Sequence, residues 1–226
     1  MKKLFILSLV ASFCTAVPVY AAASHGDSIE KIESCEAILQ EFMADPAIAI
    51  PVEVLRRARG LIIANQARAG FVIGVKDGYA ALMVRRQDNS WSLPVLLSVG
   101  EGSLGFQIGF TKTETIYVLM DDETPRKFFK ERFNVGVDAK AVAGPRFSER
   151  EHLDDKVLSN PVLVYTRNKG LYAGLSVKGG WLARNDDATR ALYFTTFTLP
   201  EILYSDWLKA PDDVVPLVNL VRSLAP

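Results

Sequence analysis

Gly105-Phe106-Gln107-Ile108-Gly109 alternates apolar side chains between two glycines, and the same grammar recurs in Gly70-Phe71-Val72-Ile73-Gly74 and Gly170-Leu171-Tyr172-Ala173-Gly174. A strand repeats every two residues, so positions i and i+4 share a face. Gly70 with Gly74, Gly105 with Gly109, and Gly170 with Gly174 therefore leave that face bare at both ends. A neighbouring backbone, an aromatic ring or a ligand can then come unusually close. The pattern predicts a curved, mainly antiparallel, glycine-rich β-sheet, strongly bent or partly closed like a barrel.

Strand grammar extends outward from these runs. Leu61 to Ala64 reads as a short apolar strand. Gly70 to Val75 and Tyr79 to Arg85 flank Lys76-Asp77-Gly78, whose Asp-Gly pair predicts a hairpin turn. Val95 to Val99 follows Trp91, and Gly105 to Phe110 joins Ile116 to Met120 across Thr111 to Thr115. Val162 to Thr166, Leu171 to Val177 and Trp181 to Ala183 are late strands.

Helical spacing brackets the sheet. Ile29, Ile32, Cys35, Leu39 and Phe42 form one stripe over residues 27–44, with Asp27 placed to cap and Glu30 three residues on. The opposite face is acidic, with Glu30, Glu33, Glu36 and Glu41. A short helix follows Pro51 and ends at Gly60. Thr124-Pro125 opens a third helix to about Phe133, and terminal helices are expected over Pro200 to Leu208 and Asp213 to Leu224. The fold class is α+β, with N- and C-terminal helices packed on the sheet.

The chain has 226 residues, with 26 Lys and Arg against 26 Asp and Glu. Lys2 and Lys3 precede the apolar run Leu4 to Val17, and small residues follow at Ala21 to Ala23. This reads as a signal peptide over 1–23, the alternative being an uncleaved N-terminal anchor. Phe13 before Cys14 is too large for a lipobox. Residues 24–226 then form a single domain with a slight acidic excess, which argues against nucleic-acid binding. Cys35 is the one cysteine left, so no internal disulfide forms and the stripe predicts a buried, inert thiol.

Catalytic grammar is sparse. Gly100-Glu101-Gly102-Ser103-Leu104-Gly105 matches a dinucleotide fingerprint, but the residues after it alternate as a strand where a helix is needed. Ser103 lacks the nucleophile-elbow context, and His152 lies in the charged loop Ser148 to Lys156 with no paired nucleophile. Asp121-Asp122, Asp154-Asp155, Asp186-Asp187 and Asp212-Asp213 suit turns and helix caps better than a calcium loop. No catalytic residue, metal ion or cofactor is expected.

Arg126, Lys127, Lys130 and Arg132 surround Phe128, Phe129 and Phe133. Cations interleaved with aromatics suit an anionic bilayer surface. The plainer reading is a helix that buries its phenylalanines and leaves its cations in water, and the two are compatible.

The order of the pieces resembles the SYLF domain family, a lipid-binding module also described as a Ysc-type actin-binding domain. The resemblance runs from Ile50-Pro51, Leu55 and Ala58-Arg59-Gly60-Leu61-Ile62-Ile63 through Gly70 to Gly74, Trp91-Ser92-Leu93-Pro94 and Gly102 to Gly109. It continues through Gly136-Val137-Asp138, Ala143-Gly144-Pro145, Lys169 to Leu175 and Asn185-Asp186. It implies a non-enzymatic phospholipid-binding protein at a membrane surface. With the signal peptide, that places the protein in the periplasm, peripheral to a membrane of the cell envelope. The alternative is an envelope structural or protein-interaction module. Actin binding, known in some family members, is not expected of an exported protein. Eukaryotic members engage membranes partly through a basic N-terminal helix, which is acidic here. Head-group contacts are therefore expected from Arg56, Arg57 and Arg59, or from Arg126, Lys127, Lys130 and Arg132.

Overall fold

The computed structural model describes residues 23–70, 75–101, 109–130, 132–145, 154–169 and 180–226. Helices α1 (His25–Ala44) and α2 (Val52–Arg57) lead into strands β1 (Gly60–Gly70), β2 (Val75–Val84), β3 (Val95–Glu101) and β4 (Gly109–Leu119). The one-turn helix α3 (Thr124–Lys127), the short strands β5 (Phe133–Asn134) and β6 (Ala141–Ala143), and helix α4 (Asp155–Leu158) follow. Strands β7 (Val162–Lys169) and β8 (Gly180–Arg184) complete the sheet, and helices α5 (Asp186–Tyr193), α6 (Leu199–Tyr204) and α7 (Val215–Leu224) close the chain. The fold is α+β, as the alternation of periods predicted.

All eight strands form one sheet in the order β5-β8-β3-β2-β1-β4-β7-β6, curled into a half-barrel. Every pairing is antiparallel except β6 with β7. Gly70 lies directly opposite Gly109, Ala69 opposite Val75, and Glu101 opposite both Lys76 and Gly180. The three glycine runs thus attach to strand ends at one end of the sheet. Gly74, Gly105, Gly170 and Gly174 themselves lie outside the described residues, as do Leu171 to Val177.

The core sits toward the other end. Leu61, Ile62, Ile63 and Ala64 are all buried, so both faces of β1 are covered there. Helix α1 covers one face with Ile32, Cys35, Ile38, Leu39 and Phe42, which matches the expected stripe apart from the added Ile38 and the half-buried Ile29. One row across the sheet is polar: Ser98, Tyr79, Asn65, Glu114 and Arg167 stand side by side on β3, β2, β1, β4 and β7. Asn65 Nδ2 donates to Ser34 Oγ of α1 at 3.1 Å and to the Tyr79 hydroxyl at 2.9 Å. Arg167 pairs with Glu114 and with Glu41 of α1, and lies over the Phe42 ring. A buried polar row must be matched by partners on the covering element, so this row fixes where α1 sits.

Three local expectations are corrected. Asp77-Gly78 is not a hairpin turn, because both residues are paired inside β2, opposite Ala67 and Gln66. Pairing to strands on both sides outweighs the local turn preference. Helix α1 starts earlier than Asp27: Ser24 is its cap, and Ser24 Oγ accepts from the Asp27 amide at 3.0 Å. The helix expected to run to Phe133 ends after one turn at Lys127, and Phe133 instead pairs with Leu182 at the sheet edge. Phe128 and Phe133 are fully buried with ring centroids 4.4 Å apart. A turn followed by an edge strand buries both rings, which is stronger than helix propensity over nine residues.

Cys35 is fully buried, its thiol donating to the Ile63 carbonyl at 3.3 Å, and burial pushes its pKa up to about 12. With residues 1–23, and so Cys14, removed, the folded protein should therefore resist Ellman's reagent at about pH 8, since the thiolate is the nucleophile. Labelling should appear only with unfolding in urea. Stoichiometric labelling of the folded protein within minutes would contradict this environment.

Candidate functional site

The candidate cations fall into two groups with different surroundings. Arg56 and Arg57 are exposed in the last turn of α2, and Arg59 follows it. Arg57 faces Asp155 of α4 at 3.5 Å, and Arg59 faces Asp122 at 3.8 Å. Exposed pairs of this kind are worth little to stability. They do neutralise much of the field this group could offer an anion.

Arg126, Lys127, Lys130 and Arg132 are held otherwise. Asp121 Oδ1 accepts from the Glu123 and Thr124 amides and starts α3, which places Arg126 and Lys127 at its end. Burial of Phe128 and Phe133 then fixes the segment and leaves Lys130 and Arg132 in solvent. Lys127 Nζ donates to the Asp138 carbonyl at 2.6 Å. Arg132 stacks over the Trp181 ring, 4.4 Å from its centroid. Arg126 sits by the Tyr204 hydroxyl, whose pKa burial raises and Arg126 opposes. These partners are a carbonyl, a ring and a hydroxyl, which orient a cation without cancelling its charge.

The bare glycine faces have occupants, at glycines other than those predicted. Gly100 stands opposite Trp181, and a Cβ on Gly100 would collide with that ring. Gly144 likewise makes room for the Tyr165 ring. Gly78 admits the β1 backbone, with Asn65 O only 2.6 Å from where a Cβ would lie. Gly100, Trp181 and Arg132 therefore form a stack: the missing side chain lets the indole lie against β3, and the indole carries the guanidinium. Sequence reasoning placed Arg132 but not its support. Only the pairing of β3 with β8 brings Trp181 onto Gly100.

A ligand is the remaining occupant that a bare glycine face could take, and for a lipid-binding protein that means an acyl chain. The cleft between Phe42, Ala143, Gly144 and Tyr165 encloses about 50 Å³. Ligand pockets take several hundred cubic ångströms, so this cleft does not hold an acyl chain. Among the described residues no helix is long and apolar enough to cross a membrane. Asp121 and Asp154 serve as backbone acceptors at turns and helix starts, as expected of the Asp-Asp pairs. Ser103 and His152 lie outside the described residues.

A family model described as "Ysc84: Las17-binding protein actin regulator" matches residues 100–224. Protein YSC84 of Saccharomyces cerevisiae is 31% identical over 189 residues, which is 82% of this chain and 40% of the yeast protein. LAS seventeen-binding protein 3 of the same yeast is 29% identical over the same shares. SH3 domain-containing YSC84-like protein 1 of Homo sapiens is 27% identical over 175 residues, 75% of this chain and 51% of the human protein. The chain thus spans about half or less of the length of these relatives. No solved structure matches.

Proposed function

Because this chain belongs to the Ysc84 (SYLF) family, we propose that it is a non-enzymatic phospholipid-binding protein acting at a membrane surface in the cell envelope. The observation that carries the reading is the second cation group. Arg126, Lys130 and Arg132 are exposed on a segment whose phenylalanines are locked in the core, and Lys127 is oriented by a backbone carbonyl. A fixed array of cations meets anionic head groups at little conformational cost. Lys2-Lys3, the apolar run Leu4 to Val17 and Ala21 to Ala23 support export to the periplasm. There the protein would meet phospholipid and not actin. The acidic exposed face of α1 favours the α3–β5 segment as the contact.

Co-sedimentation tests this directly. The protein should pellet with vesicles of equal parts phosphatidylcholine and phosphatidylglycerol, and not with phosphatidylcholine alone. Binding should fade as the Debye length falls from about 30 Å at 0.01 M salt to about 8 Å at 0.15 M. Failure to pellet with the anionic vesicles at low salt would sink the reading. A protein-interaction role is the second reading, favoured by Trp207, which is 65% exposed and packs edge-on against Phe197. Vesicle binding indifferent to lipid charge would turn the balance toward it.

A further inference from the structure

We propose that the turn after β5 is the tip that enters the membrane, with Val137 inserting at the bilayer interface inside a rim of Lys127, Lys130, Arg132 and Lys140. This rests on the membrane-surface reading above and adds which surface faces the lipid and what its apolar anchor is. Val137 is 80% exposed; a single exposed apolar side chain is ordinary, and it is the cations around this one that set it apart.

The turn is tightly built. Asp138 Oδ2 accepts from the Asn134 amide at 2.6 Å and from Asn134 Nδ2 at 3.2 Å. The Gly136 amide donates to Ala139 O at 3.0 Å, and the Val137 amide to Asn134 O at 3.2 Å. Gly136 has φ +83°, a conformation that favours glycine. The Val135 amide donates to Gly180 O at 3.0 Å and ties the turn to β8. Val137 is therefore presented by a rigid frame, so little ordering entropy opposes its insertion.

The charge around it is mainly of one sign. Residues 126–140 hold Arg126, Lys127, Lys130, Arg132 and Lys140 against Glu131 and Asp138, in a chain whose formal net charge is zero. Contacts bring two of these cations to the turn, and Lys140 follows it directly in the chain. Lys127 bonds the Asp138 carbonyl, and Arg132 stacks on Trp181, whose strand partner is Asn134 of the turn. The Asp138 carboxylate is exposed and bonded to Asn134. A single valine holds weakly to lipid by itself, and so do a few lysines; together they give the two signals that surface anchoring needs.

Of the other exposed apolar residues, Val52 and Tyr204 are only 37% and 40% exposed, and the two that are more exposed are less suited. Phe194 is 79% exposed but stacks on His25 with centroids 4.4 Å apart. Trp207 adjoins Asp206 and packs on Phe197.

The test uses the whole protein and vesicles of equal parts phosphatidylcholine and phosphatidylglycerol. Val137→Ser should weaken binding roughly three- to tenfold by losing the apolar contact. Lys130→Glu with Lys140→Glu should weaken it by at least about twentyfold, near fivefold for each charge. Val137→Trp should tighten binding and shift its emission to the blue on adding these vesicles, with no shift on phosphatidylcholine alone. Unchanged circular dichroism and melting temperature keep folding out of the comparison. If the wild type binds and these variants bind equally well, the tip is wrong and the membrane reading survives. The tip is equally wrong if Arg56→Glu with Arg57→Glu loses more binding than the Lys130 and Lys140 pair. If the wild type does not bind, both fall.

Discussion

Arg85→Leu is expected to lower the unfolding free energy by about 4 kcal/mol. Arg85 is 7% exposed. Its Nε donates to Ala58 O at 3.1 Å, and its two terminal nitrogens to Pro226 O and Ala225 O at 2.9 Å each. The guanidinium lies 5.0 Å from the Trp91 ring centroid, and Trp91 Nε1 donates to the same Ala225 carbonyl at 2.8 Å. One side chain thus joins the end of β2 to the C-terminal ends of α2 and α7, where orphan carbonyls and the helix dipole both favour a cation. Leucine removes every one of these donors. Ala225 O keeps the Trp91 donor and Pro226 reaches water. The loss is therefore that of three bonds to a charged donor, each worth about 1.5–3 kcal/mol, against about 2 kcal/mol returned by burying leucine. For a chain of this length the melting temperature should fall by roughly 10 °C. Arg85→Lys should recover only part, because an ammonium cannot span the fork. A urea midpoint unchanged from wild type, with a melting temperature within about 2 °C of it, would refute this expectation.

Gly78→Val is expected to cost about 3 kcal/mol, the upper part of the range for overpacking a close-packed site. A Cβ at this position would lie 2.6 Å from Asn65 O, 2.9 Å from Gln66 Cγ and 3.0 Å from Gln66 Cα. Two of these are backbone atoms of β1, so a rotamer change cannot relieve them. Gly78 is paired with Gln66 on one side and Val99 on the other, so β2 cannot slide away either. Gly100→Val forms the contrast. Its clash is with the Trp181 ring, a half-buried side chain at a less enclosed strand. The indole can swing out, so stability should fall less while the Arg132 stack is lost. Equal stability of Gly78→Val and wild type in urea would show that β1 yields more easily than its pairing implies.

Arg85 and Gly78 also mark where reading the sequence succeeds and where it stops. The period changes between 27 and 120 placed α1, α2 and the apolar centres of the middle strands, because apolar spacing reports a covered face directly. Thr111 to Thr115, however, read as a connection between two strands, is paired within the single strand β4. The burial of Cys35 followed from the same stripe. Asp77-Gly78 misled, since a turn signal is local and the pairing that overrode it comes from strands 12 and 21 residues away in register. The segment after Thr124 misled for the same reason, its phenylalanines being buried by a turn and an edge strand. At the candidate site Arg126, Lys127, Lys130 and Arg132 were legible as a basic-aromatic run. The meeting of Val137, Trp181 and Asp138 with that run was not, because no spacing in the chain announces it.

The sequence by itself determined the α+β class, the family and the stripe of α1. Each of these is encoded in periods of a few residues or in a long ordered series of motifs. Tertiary structure alone decided which glycines are filled and by what, which cations keep their charge uncancelled, and which apolar side chain is left at a tip. Those outcomes depend on pairings between residues far apart in the chain, such as Gly100 with Trp181 and Lys127 with the turn at Asp138. Close approach at a glycine occurs in this fold at Gly100, outside the three runs, where it admits the Trp181 ring that carries a lipid-facing arginine in the proposed function.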